Sequence, residues 1–246
     1  MTFIKSAHLS MQKKKVTATN KDFKMAEPIM RCWGVNIPPN AAREVAKTLK
    51  SGWINTGKKD KGCREKRCKR CKAPYAIACN NGTDAIKIAL RAYDVGPGDE
   101  VISTPFTFMA TNTAILEIGA KPVFADIQYD TLNLDPKSVE KKITKKTKAI
   151  MCVHYAGNPV DLDELRALAK KHKLPLIEDS AHALGSEYKG KPIGGTGDVC
   201  TFSFQCVKIV TTGDGGAVTA TNEDIYKKMR KLSWYGMDRE VKKTSK

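Results

Sequence analysis

From residue 73 onward the chain alternates short apolar runs with stretches of helical period, and this alternation leaves few folds open. The runs "YAIAC" (75 to 79), "VIST" (101 to 104), "PVFADI" (122 to 127) and "KAIMCVH" (148 to 154) read as strands. So do "LPLIED" (174 to 179), "DVCTFSF" (198 to 204) and "GAVTAT" (216 to 221). Between them, residues 82–93, 109–118, 136–142, 161–173 and 222–234 carry helix patterns, the first with apolar residues at 85, 86, 89, 90 and 93 on one face. Strands this apolar are buried on both sides, and helices between successive strands supply the crossovers. A largely parallel sheet with helices on both faces is the architecture that satisfies both demands.

The remainder of the chain is basic. Net charge is +17 over 246 residues, but much of the excess is local. The first 24 residues hold six lysines against one acid, Asp22, and "GKKDKGCREKRCKRCK" (57 to 72) holds nine Lys/Arg against two acids. Residues 1–30 are expected to form a disordered basic leader, because they lack the uninterrupted apolar stretch of a secretory signal. For residues 57–72 a solvated helix face or an exposed loop is expected. No aromatic residues interleave with that basic run, which argues against a nucleic-acid partner. No apolar run of about 18 residues is present, so no membrane partner is expected, and a soluble, cytoplasmic protein is. Eight cysteines without a secretory signal point to a reducing compartment rather than a disulfide scaffold. Cys68-Lys-Arg-Cys71 has zinc-compatible spacing, but no second such pair follows. Free thiols on a basic helix are expected, with pKa values lowered by the neighbouring cations.

In a parallel α/β sheet ligands bind beyond the carboxyl ends of the strands. "ACNNGTDA" is a strand, a tight turn at Asn80-Asn81-Gly82 and a helix start, where free N–H groups, the helix dipole and the Thr83 hydroxyl favour an anion. Taken alone, such a junction also serves as an ordinary helix cap. "LIEDSAHALGS" ends a central strand in two acids, Glu178 and Asp179, of which alternation sends one into the crevice and the other away. A buried carboxylate needs a cationic partner, supplied by a salt bridge or by a protonated pyridine nitrogen. Lys208, in "TFSFQCVKIVTTGDGG", follows an aromatic strand and precedes a glycine-rich turn. Such a lysine either snorkels to solvent or sits partly desolvated, with a lowered pKa and an amine able to form a Schiff base.

Taken in order, these features resemble the DegT/DnrJ/StrS family of nucleotide-sugar aminotransferases. The matching stretches are "SGWINTGKK", "ACNNGTDAIKIAL", "TPFTFMATNTAILEIGAKPVFADI", "VHYAGNPVDLDEL", "IEDSAHALGSEYKGKPIGGTGDVCTFSF" and "KIVTTGDGGAV". The resemblance implies an aspartate-aminotransferase-like (fold type I) large domain with a mostly parallel, seven-stranded sheet, spanning residues 31–246. It implies pyridoxal 5'-phosphate as cofactor, carried by Lys208, which would also move the proton. Asp179 would keep the ring nitrogen protonated, Phe108 would stack on the ring and His182 would lie near its hydroxyl. Gly82, Thr83 and Ser203 would bind the phosphate, with Asp84 counted beside them. The implied reaction moves an amino group, usually from glutamate, to a keto group of a nucleotide-linked sugar. A dehydratase branch has histidine in place of the lysine, and Lys208 speaks against it.

Two departures from the family pattern shape further expectations. Family members continue into a smaller C-terminal domain and form homodimers, whereas this chain stops at Lys246; weak turnover, or a binding or structural role without catalysis, is the alternative expectation. Where the family has an acidic, amphipathic helix, this chain has "DKGCREKRCKRCK", which is expected to pack poorly.

Overall fold

A computed structural model describes Val35 and residues 37–238. The expected leader at residues 1–30, Met1–Gly34 as a whole and residues 239–246 lie outside the described residues.

Every strand expected from the alternation is present. They are β1 (Tyr75–Cys79), β2 (Glu100–Ser103), β3 (Lys121–Phe124), β4 (Thr147–Val153) and β5 (Leu176–Asp179), followed after a short hairpin by β8 (Val199–Ser203) and β9 (Gly216–Ala220). The hairpin, β6 (Glu187–Tyr188) with β7 (Lys191–Pro192), forms a separate two-stranded sheet. The main sheet has seven strands in the order β1-β9-β8-β5-β4-β2-β3. Pairings from β3 through β8 are parallel, and β9 alone runs against its neighbours β8 and β1.

Two apolar cores flank this sheet. One gathers Ile86, Ala89 and Leu90 of α3 (Gly82–Ala92), Ala114 and Ile115 of α4 (Ala110–Glu117) and Met229 of α7 (Glu223–Leu232) against Met151 and Ile177. The other gathers Val139 of α5 (Pro136–Lys142) and Leu162, Leu165 and Leu168 of α6 (Leu162–His172) against Ile150, Cys152 and Leu176. Neighbouring residues of β4 and β5 thus divide between the two cores, as strand alternation requires. Each fully buried aliphatic side chain contributes roughly 1.5–3 kcal/mol. Polar caps mark the helix starts: Asn81 Oδ1 accepts from Asp84 N at 2.7 Å, and Asn222 Oδ1 accepts from Asp224 N and Ile225 N at 2.8 and 3.1 Å.

N-terminal to the sheet lie α1 (Ala41–Lys50) and α2 (Lys58–Cys71). The basic α2 is anchored at its end: Cys71 is buried, and the Arg67 guanidinium lies 4.6 Å from the Phe204 ring centroid and 5.4 Å from that of Phe202. The expectation of lowered thiol pKa values is overturned. Burial pushes the Cys68 and Cys71 thiols up, and the nearby arginines only partly offset it. Desolvation wins because the helix turns these two thiols toward the protein and most of its lysines toward water. No described helix is long and apolar enough to cross a membrane.

Candidate functional site

Strands β1, β8 and β5 all end on the same edge of the sheet, and the polar residues singled out from the sequence collect there. The turn after β1 leads straight into α3. A Cβ placed on Gly82 would lie 2.8 Å from Ser203 Cβ and 3.2 Å from Ser203 Oγ, so only glycine lets the helix start lie against that serine. Gly216 is paired with both Cys79 and Ser203 in the sheet, and a Cβ there would meet Asn81 O at 2.2 Å. The two glycines bring the first turn of α3 down onto the ends of β8 and β9. Gly82 and Thr83 open the helix, so their backbone N–H groups have no intrahelical acceptor and face the same edge as the Ser203 hydroxyl. Such a helix start has the donors that could cradle an anion. Asp84 plays a different part: its Oδ2 accepts from Asn81 Nδ2 at 3.2 Å and its Oδ1 pairs with Lys87 Nζ at 2.8 Å, stiffening the cradle's rim.

β5 ends in two acids that face opposite ways. Glu178, fully buried, points into the α6 side, where its Oε2 meets His154 Nε2 at 3.1 Å and Cys200 Sγ at 3.3 Å, and its Oε1 meets Arg166 Nη2 at 3.0 Å. Burial alone would push this carboxyl up, but the hydrogen bond from His154 and then the charge and hydrogen bond of Arg166 hold it below the usual carboxylate range. His154 Nδ1 accepts from Val160 N at 3.2 Å, so Nδ1 is the bare nitrogen and Nε2 carries the hydrogen donated to Glu178. The salt bridge that a buried acid requires therefore belongs to Glu178.

Asp179 is left for the crevice. It is 5% exposed, with Oδ2 accepting from Thr111 Oγ1 at 2.8 Å and Oδ1 accepting from Ala181 N at 3.1 Å. Lys208, in the turn after β8, is half-buried; burial lowers its pKa and the Asp179 charge only partly opposes this. His182 is half-buried as well, and its pKa is lowered by burial and then by the Lys208 charge, against a smaller opposing effect of Asp179. These mutual influences join Lys208, Asp179 and His182 into one electrostatic group, 26 to 29 residues apart in the chain for the lysine and its partners. Phe108 stands 68% exposed one turn ahead of Thr111, whose backbone N–H bonds to the Phe108 carbonyl at 3.1 Å. Phe106, Tyr155 and His182 form an aromatic run, with centroid separations of 4.6 and 6.4 Å.

Thr111, Tyr155 and the Arg166–His154 pair were not singled out from the sequence. Arg166 and His154 follow from asking what neutralises the second acid of "IED", whereas Thr111 and Tyr155 carry no signal beyond lying in stretches already notable for other reasons.

The donor set fits pyridoxal 5'-phosphate. The cradle of Gly82, Thr83 and Ser203 suits a phosphate, Asp179 suits a protonated ring nitrogen, and the partly desolvated Lys208 amine suits the aldehyde.

Fold and site together define an α/β ligand-binding domain of the aspartate-aminotransferase type, with an anion cradle, a buried acid and a desolvated amine on one sheet edge. The chain belongs to the DegT/DnrJ/EryC1/StrS aminotransferase family, which it matches over residues 36–246. It is 42% identical over 193 residues to the UDP-4-amino-4-deoxy-L-arabinose--oxoglutarate aminotransferase of Shewanella sediminis, covering 78% of this chain and 50% of that protein. Among solved structures, the aminotransferase from Psychrobacter cryohalolentis superposes with a TM-score of 0.83 at 40% identity, covering 88% of this chain and 55% of the other. Spr1654 of Streptococcus pneumoniae, in its PLP form, gives a TM-score of 0.80 at 37% identity, covering 84% and 58%. This chain spans about half the length of the curated relatives it matches.

Proposed function

We propose that the protein transfers an amino group from glutamate to a keto group of a nucleotide-linked sugar, using pyridoxal 5'-phosphate. The observation that carries this reading is the meeting of Lys208 and Asp179 on the edge that also holds the Gly82–Ser203 cradle. The cofactor, when bound, supplies an electron sink for the pair left behind as a substrate carbon loses a proton.

Each residue's part follows from its surroundings. Thr83, Ser203 and the N–H groups at Gly82 hold the phosphate, and Asp84 fixes the rim through Asn81 and Lys87. Asp179, an acceptor at both carboxylate oxygens, keeps a proton on the ring nitrogen. Lys208 Nζ would hold the cofactor and, when free, would move the proton at the substrate carbon; its lowered pKa keeps more of the amine in the neutral, basic form. Phe108, which is exposed, would stack on the cofactor ring, and His182, within the influence of Lys208 and Asp179, would lie near the ring hydroxyl. The active form is a homodimer in the cytoplasm, and the exposed apolar residues Phe108 and Met109 are placed to be covered on assembly.

Glutamate alone tests the reading. With pyridoxal phosphate added, the protein should release one 2-oxoglutarate per site, and Lys208→Ala should release none. Equal release by the variant would remove Lys208 from the reaction.

A further inference from the structure

Asp179 is held from behind by a pair of hydroxyls. Thr111 is 1% exposed, at the start of α4, and its Oγ1 lies 2.8 Å from Asp179 Oδ2 and 2.8 Å from Thr107 Oγ1. Thr107 is half-buried. Each threonine hydroxyl has one hydrogen to give, and a carboxylate has none. Ionised Asp179 must therefore receive the Thr111 hydrogen, and Thr111 must in turn receive the Thr107 hydrogen. An Asp179 carboxyl that donated from Oδ2 to Thr111 would require both hydroxyls to turn round. The carboxylate is gripped at its other oxygen by Ala181 N–H at 3.1 Å, and its own backbone carbonyl accepts from His154 N at 3.1 Å. The titratable groups that feel the Asp179 charge are Lys208 and His182 in the crevice and the buried Cys152 on β4.

We propose that Thr111, backed by Thr107, is a positioning residue whose hydrogen-bond relay orients the Asp179 carboxylate and fixes which oxygen faces the crevice. The proposal rests on the reading of Asp179 as the partner of a protonated ring nitrogen. A hydrogen bond to a charged group, in a place water does not reach, is strong enough to matter here: its loss changes affinity on the order of tenfold or more. Valine has the shape of threonine without the hydroxyl, so Thr111→Val removes the relay and leaves the packing.

The test compares binding of two probes to the apo protein: pyridoxal phosphate, and its analogue with the ring nitrogen replaced by C–H. Wild type should bind pyridoxal phosphate more tightly, because only that ring offers Asp179 a proton to share. Thr111→Val should shrink the preference about tenfold, Thr111→Ser should restore most of it, and Thr107→Val should give a smaller loss. A merely structural role would weaken both probes alike and leave their ratio unchanged, which would overturn the proposal. Should Thr111→Val fail to fold, Thr107→Val reads the same ratio from a half-buried site, and a ratio equal to wild type again overturns it. If wild type itself shows no preference between the probes, the reading of Asp179 fails first, and the relay with it.

Discussion

Removing Arg166 isolates the contribution of the buried acid behind the site. Glu178 is fully buried and its Oε1 pairs with Arg166 Nη2 at 3.0 Å. Taking one partner from a buried ion pair costs about 3–5 kcal/mol, because the other charge is left uncompensated. His154 Nε2 still donates to Glu178 at 3.1 Å, and the Arg166 side chain is 31% exposed, so water reaches that edge. Arg166→Met is therefore expected at the lower end, about 3 kcal/mol, which for a chain of this size lowers Tm by about 6–12 °C. Glu178→Gln added to it should recover part of the loss, because the stranded charge is gone. The pH dependence has a definite sign. The folded pKa of Glu178 is held below its unfolded value, so its stabilisation is complete above about pH 4.3 and is lost as pH falls through the folded value. Without Arg166 burial is less opposed and the folded pKa rises, so the variant's deficit is largest near neutrality and shrinks in acid. Thermal and urea unfolding of the three proteins between pH 4 and 8 measures this; an Arg166→Met deficit below about 0.5 kcal/mol, or one that grows in acid, would count against the uncompensated charge.

Other expectations follow from the same geometry. Gly82→Ala puts a methyl 2.8 Å from Ser203 Cβ, and should weaken pyridoxal phosphate binding about tenfold while sparing pyridoxal, which lacks the phosphate; equal losses for both in a binding titration would count against the cradle. Because burial lowers the Lys208 pKa, the rate at which the apo protein captures pyridoxal phosphate should rise with pH through a midpoint below about 10.4, the free-lysine value. A stopped-flow midpoint at or above that value would contradict the desolvated amine. Alkylation followed by mass spectrometry should label exposed Cys63 first, Cys68 more slowly and buried Cys71 last; early labelling of Cys71 would show that α2 is not anchored as described.

Much of this architecture is legible in the sequence because the parallel strands are buried on both faces, and such strands announce themselves as unbroken apolar runs. β5 is the clearest case, all four of its residues being buried. The hairpin at 187–192 was not legible, since two-residue strands carry no period. β3 ends at Phe124, short of the expected Ile127, because the chain leaves the sheet there and Asp126 N turns to Ser138 Oγ at 2.9 Å. The thiols were misread for a related reason: charge counts along α2 are local, but the burial of Cys71 is set by the distant loop at Gly194 and by Phe202. In the site, strand ends and glycine turns drew notice to Gly82, Asp179 and Lys208 by position, while the choice between their alternative readings came from the family resemblance. Thr111 was not, because its partner lies 68 residues away and a hydroxyl looks the same in sequence whether it meets water or a buried carboxylate.

In the proposed function one lysine, Lys208, carries pyridoxal phosphate in a pocket completed by Asp179. Borohydride reduction of the protein saturated with the cofactor, followed by peptide mass mapping, tests it most directly. A single pyridoxyl-phosphate adduct is expected, on the peptide containing Lys208, at about one per chain. A label spread over the surface lysines, or concentrated on a lysine other than Lys208, would contradict it.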